Sequence, residues 1–277
     1  MSALVAQAPD PRAVIVAVHG GATSSAYFDC PGHPELSLLQ HAAAAGFTAL
    51  ALDRPGYGTS AVYAREFTDP ARRVAATSAA VDKILTGTGC GAGVFVLGHS
   101  AGCELALRLA TTRDDVLGVE LSGTGLRYSD AAKDIIASAT VTNRPAGLRD
   151  LLWEPADLYP AEVLTGALSS PGVAYEGEVT AHWARRDFPA IAAEVRVPVQ
   201  FSIAEHEKVW QTDSQAVAAI TELFAAAPRV KVNEMPGSGH NLSVGLTAGE
   251  YHRKVLSFIE ECIADIEDRD RDHVEAS

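Results

Sequence analysis

Short, continuously apolar runs alternate with amphipathic ones along this chain. AVIVAV (13–18), FTALAL (47–52), GVFVLG (93–98) and VLGVEL (116–121) stay hydrophobic at every position. Strands covered on both faces, as in a parallel sheet, have this pattern, whereas half-exposed strands alternate. Between them, 34–45 and 70–86 space their apolar residues for helices, and the second stops at the glycines of TGTGCGAG. The rhythm resumes with VPVQFSI (197–203), a helix near 211–226, RVKVNEM (229–235) and a last helix near 249–267. Strand and helix in turn predict an α/β fold, a mostly parallel central sheet flanked by helices through right-handed crossovers.

One stretch breaks the rhythm. Residues 125–190 contain prolines, glycines and several aromatics (Trp153, Tyr159, Tyr175, Trp183, Phe188) but no strand pattern. A compact domain seldom tolerates so long a structureless loop, and the aromatics speak for packing. The segment therefore reads as an inserted helical cap, with 1–124 and 191–277 forming the core. The acidic end, EDRDRDHVEAS, reads as a frayed, solvated tail.

Charge and composition narrow the partners. With 22 Lys and Arg against 35 Asp and Glu, the net charge of −13 lacks the basic footprint of a nucleic-acid binder. It also disfavours adhesion to anionic membranes. No apolar run approaches the ~20 residues of a transmembrane helix, and the opening segment lacks the basic start of a signal peptide. Cys30, Cys90, Cys103 and Cys262 are scattered without a CxxC pair, which fits reduced thiols in a cytoplasmic protein.

The chemistry centres on VFVLGHSAGCELAL (94–107). G-x-S-x-G alone is a common pentapeptide; here an apolar strand runs into it and a helical pattern leaves it, the setting of a nucleophile elbow. A sharp turn that presents Ser100 needs small neighbours, which Gly98, Ala101 and Gly102 supply. A nucleophilic serine needs a base, and the base an orienting acid. His240, in the glycine loop MPGSGHNLS after a predicted strand, is the candidate base, with His206 as its rival. His99 should point away from the turn and His19 should organise the first loop. FSIAEHEKVW ends a strand with two carboxylates, of which Glu207 lies deeper in the loop and is the chosen acid. Glu205 is the alternative, and Glu120, inside a predicted strand, a third option. In VAVHGGATSS, glycines after the first strand let the Gly21 N–H join the Ala101 N–H in a two-donor oxyanion hole.

The order Ser100, Glu207, His240, with HGG upstream, resembles the α/β-hydrolase superfamily over roughly 13–265. The resemblance implies an α/β-hydrolase core, a cap at 125–190, and a structural role for Asp53 and the glycines of DRPGYGTS, with Arg54 outside the catalytic set. It departs in having glutamate where most members use aspartate, and in a start too short for a full leading hairpin, so the sheet begins at 13–18 or has a shortened edge. Serine at the elbow implies acyl chemistry on a small-molecule ester, lactone or thioester, free or carrier-bound, with no metal or organic cofactor. Acyl transfer, cyclisation or lyase chemistry, and a ligand-binding receptor, are the alternatives on this fold.

Overall fold

The computed structural model describes residues 1–140 and 143–275. Seven strands form one sheet: β1 (Ala3–Ala6), β2 (Val14–Val18), β3 (Thr48–Leu52), β4 (Val94–His99), β5 (Val116–Ser122), β6 (Val199–His206) and β7 (Val230–Gly239). Their order is β1-β3-β2-β4-β5-β6-β7, with β1 antiparallel to β3 and every other pairing parallel. The edge is thus shortened, not missing: four residues pair Ala3 with Leu52 through Ala6 with Ala49.

Side-chain alternation divides the sheet between two cores. Val14, Val16 and Val18 face one side with Val94 and Val96, against Leu105 and Leu109 of α3 (Gly102–Thr112). Ile15, Ala17, Phe95 and Leu97 face the other, against Leu38 and Leu39 of α1 (Leu38–Ala44) and Phe258 and Ile259 of the last helix. Helix α2 (Pro70–Leu85) starts as its sequence dictates, with Pro70 in the first turn and the Asp69 carboxylate accepting from the Ala71 N–H at 2.9 Å. The helix expected over 34–45 is split, because Ser37 caps α1 by accepting from the Gln40 N–H at 3.1 Å, behind a separate turn at Pro34–Leu36.

Between β5 and β6 lie α4 (Lys133–Ser138), α5 (Leu148–Trp153), α6 (Tyr175–His182) and α7 (Phe188–Ala192), with no strand among the described residues there. Helix α7 crosses residue 190 and buries Phe188 and Ile191 in the same core as α3. Helix α8 (Ser214–Leu223) joins β6 to β7, and α9 (Ala248–Glu275) closes the fold. The frayed tail expected after 267 is a correction, since α9 continues through Glu275. One described ion pair in this stretch, Asp268–Arg271, joins charges three residues apart. Residues 276 and 277 of that expected tail lie outside the described residues.

Among the described residues no helix is long and apolar enough to cross a membrane, and no group of three His, Cys, Asp or Glu is placed to hold a metal ion. All four cysteines are unpaired.

Candidate active site

Ser100 follows the last residue of β4 directly and adopts φ +51°, the left-handed region that side-chain-bearing residues avoid. Its N–H donates to the Ser122 carbonyl at 2.8 Å, and its carbonyl accepts from the Cys103 N–H at 3.0 Å, so the turn is pinned from both sides. The glycines are sterically compulsory. A Cβ on Gly98 would meet the Ala106 Cβ at 2.7 Å, and one on Gly102 would meet the Val18 carbonyl oxygen at 2.3 Å. The local motif and the packing of α3 on the sheet are therefore one constraint.

The extended ends of β6 and β7 bring in the remaining groups. His240 Nδ1 lies 2.9 and 3.0 Å from the two Glu207 carboxylate oxygens, and both side chains are at least 95% buried. Glu207 also accepts from the Val209 N–H at 2.8 Å, which fixes the carboxylate plane. His240 Nε2 is buried without a protein partner among the described residues. Glu205, two residues earlier, is exposed and accepts from the Gly237 N–H at 2.7 Å. His206 is exposed and paired in register with Gly239. Tyr159, between β5 and β6 in sequence, reaches the His240 loop, accepting through its hydroxyl from the Asn241 N–H at 3.2 Å.

His99 does not leave the site, contrary to the expectation from the turn. It lines the cavity, stacks on Tyr27 at 4.7 Å and meets the His240 ring edge-on at 5.2 Å. Burial, and secondarily the neighbouring His240, hold its pKa well below the ordinary histidine value. His19 does organise the first loop. Its Nε2 accepts from the Arg54 N–H at 3.1 Å, so Nδ1 carries the proton and donates to the Gly20 carbonyl at 2.8 Å. Burial, then the Arg54 charge, lower its pKa to about 3 and keep it neutral.

Glu120 stands within β5, fully buried, accepting from the Tyr251 hydroxyl at 3.0 Å. Burial raises its pKa to about 8 despite the hydrogen bond from Tyr251. A carboxyl with a raised folded-state pKa favours folding below its unfolded value and loses that contribution as pH climbs through the folded one. Glu120→Gln should therefore gain thermal stability relative to wild type as pH rises from about 4.5 to about 8. A melting-temperature difference that stays constant from pH 5 to 9 would show that the carboxyl does not titrate in this window.

Gly21 and Ala101 adjoin: a Cβ built on Gly21 would lie 3.9 Å from that of Ala101. The same position lies 3.7 Å from both oxygens of Glu176, on α6. Glu176 forms a partly buried ion pair with Arg54 and accepts from the Tyr57 hydroxyl at 2.8 Å. Sequence reading missed this cluster, because a carboxylate and a guanidinium separated by 122 positions leave no local signal.

Ser100 and His240 line two adjoining cavities. The larger, about 450 Å³, is walled by the loop after β2 and by residues between β5 and β6 including Leu148, Trp153 and Leu168. The smaller, about 110 Å³, is lined by Ile136, Val179, Trp183, Val209 and Trp210 among others. Both tryptophans are locked, the Trp183 indole N–H donating to the Thr124 hydroxyl at 2.7 Å and that of Trp210 to the Gly123 carbonyl at 2.9 Å. Leu152 lines both cavities, as Ser100 and His240 do.

No curated protein matches this sequence. Solved structures do resemble it in fold. An esterase from Exiguobacterium antarcticum is 15% identical with TM-score 0.65, covering 93% of this chain and 95% of its own. A lipase-esterase related protein from Clostridium acetobutylicum is 16% identical with TM-score 0.64, covering 93% and 98%. The monoacylglycerol lipase of Paleococcus ferrophilus is 18% identical with TM-score 0.58, covering 95% and 99%. The profile of one family, described as the alpha/beta hydrolase family, matches residues 15–252, from β2 through the His240 loop into α9. The elbow, the sheet order and that match together make this chain a member of the alpha/beta hydrolase family.

Proposed function

We propose that this protein hydrolyses a carboxylic ester, lactone or thioester through an acyl-enzyme on Ser100. One observation carries the reading: the His240 ring is oriented by Glu207 at Nδ1, while its other nitrogen is unpartnered in the cavity that Ser100 lines. In that arrangement His240 Nε2 accepts the Ser100 hydroxyl proton as Oγ attacks the carbonyl carbon, and Glu207 stabilises the imidazolium. The N–H groups of Gly21 and Ala101 receive the negative charge that develops on the carbonyl oxygen. The imidazolium returns its proton to the leaving alkoxide or thiolate. Water then repeats the steps on the acyl-enzyme and releases the acid.

The two cavities divide the substrate at the scissile bond. The smaller one is somewhat below the ~150 Å³ known to hold benzene, so it suits a compact apolar group, while the larger takes the longer arm. Residues 125–190 supply walls to both, which is the part a cap would play. The ester-cleaving names of several structural neighbours agree with the reading.

Intact mass after exposure to a fluorophosphonate, with peptide mapping, tests it. A single adduct on Ser100, absent from His240→Ala, is the expected result. No adduct on the wild-type protein would overturn the nucleophile assignment.

A further inference from the structure

Resting on the ester-hydrolase reading above, we infer that Arg54 is a positioning residue that holds and polarises the Gly20–Gly21 peptide, and that Glu176 of α6 completes this arrangement from the insertion. The Gly20 carbonyl and the Gly21 N–H belong to one peptide unit. Its oxygen accepts from Arg54 Nη2 and from His19 Nδ1, each at 2.8 Å. A cationic donor on the carbonyl draws charge along the amide and strengthens the N–H at its other end, as in any hydrogen-bond chain. Arg54 Nη1 reaches the Ala101 carbonyl at 3.4 Å, so one guanidinium ties together the two loops that carry the oxyanion donors.

The countercharge has a second consequence. Glu176 oxygens sit 3.7 Å from the Cβ position of Gly21, where a bare carboxylate would repel a developing oxyanion in a site sheltered from water. Arg54, 3% exposed, pairs with that carboxylate and cancels the repulsion. Tyr57 closes the frame: its ring lies under the guanidinium at 5.0 Å, and its hydroxyl donates to Glu176 and accepts from the Ala22 N–H at 3.0 Å. Ala22 is held at φ +52°, a conformation alanine does not favour, so these contacts impose the loop's shape. The insertion thereby contributes a charge to the site as well as a wall. The charge and the wall arrive together when α6 is docked.

A double-mutant cycle read through kcat, KM and inhibitor binding separates this role from a structural one. With 4-nitrophenyl butyrate as probe, Arg54→Gln should lower kcat about 100-fold, the scale of one oxyanion donor, with KM changed less than about threefold. Arg54→Gln/Glu176→Gln should recover roughly tenfold of that loss, because the unmasked carboxylate is gone. Arg54→Lys should fall between wild type and Arg54→Gln, since an ammonium keeps the charge but not the fork. Affinity for butylboronic acid, which forms a tetrahedral anionic adduct on Ser100, should fall in parallel with kcat, while that for the product butyrate holds. If Arg54→Gln does not fold, Tyr57→Phe keeps the ring but frees the Glu176 oxygen, and should lower kcat and boronate affinity together. Arg54→Gln, or in its place Tyr57→Phe, with unchanged kcat and boronate affinity, or a double variant no faster than the single, overturns the inference. Wild-type protein that neither cleaves the ester nor binds the boronate would overturn the ester-hydrolase reading itself, and this inference with it.

Discussion

Ser100→Ala is expected to lower kcat on an activated ester by about 10⁵-fold while leaving the fold intact. The loss is large because, on the proposed mechanism, no described neighbour can take over as nucleophile. His99 faces Tyr27 and Ser122, and Cys103 points its thiol at the Gly98 and Ser122 carbonyls. Burial also holds the Cys103 thiol well above its ordinary pKa, so it supplies no thiolate. The stability side of the same experiment is as informative. At φ +51° a Cβ costs about 1–2 kcal/mol, and Ala retains that cost. Ser100→Gly should relieve it and fold about 1 kcal/mol more stably than Ser100→Ala, after the extra entropy glycine loses on folding. The turn would then be trading stability for presentation of the hydroxyl, as functional sites often do. Residual kcat near wild type in the alanine variant would remove Ser100 from the chemistry. A glycine variant that melts below the alanine one would show that the backbone is not strained by the side chain.

What could be read from the sequence follows from how local each constraint is. The inner strands announce themselves because both faces are covered and every position must be apolar, as in VIVAV of β2. The elbow is equally marked: a Cβ at residue 98 would collide with α3 and one at residue 102 with the end of β2, so glycine must stand two residues to either side of the serine. Strand β1 was invisible because four residues at a half-exposed edge carry no such demand. The length of α9 was hidden because the sequence after residue 267 carries charges and no apolar spacing to mark a helix. Arg54 illustrates the opposite limit. Its turn, DRPG, was legible as structure, with Asp53 accepting from the Ser25 N–H at 2.8 Å and the Ser2 hydroxyl at 2.6 Å. Its partner on α6 was not, since only the folded insertion brings Glu176 to it.

The choice between two glutamates lies between these limits, and it sets the second large effect. Glu205 and Glu207 share an alternation class, so a straight strand would send both to one side. The β6–β7 register shifts between Ala204 and His206, and the Glu207 N–H turns back to the Ala204 carbonyl at 3.2 Å. That bend leaves Glu205 on the Gly237 N–H and carries Glu207 to His240. Glu207→Gln is therefore expected to lower kcat by roughly 10³- to 10⁴-fold. The amide oxygen would keep the Val209 N–H bond, which directs the NH₂ group at His240 Nδ1. Nδ1 must then accept, the proton moves to Nε2, and the nitrogen facing the cavity can no longer take one from Ser100. Glu205→Gln keeps an oxygen for Gly237 and should change kcat less than about twofold. Steady-state rates for the two variants decide the matter. The reverse ordering would give Glu205 the orienting role, and it would require the bend after Ala204 to open so that its carboxylate could replace that of Glu207 at Nδ1.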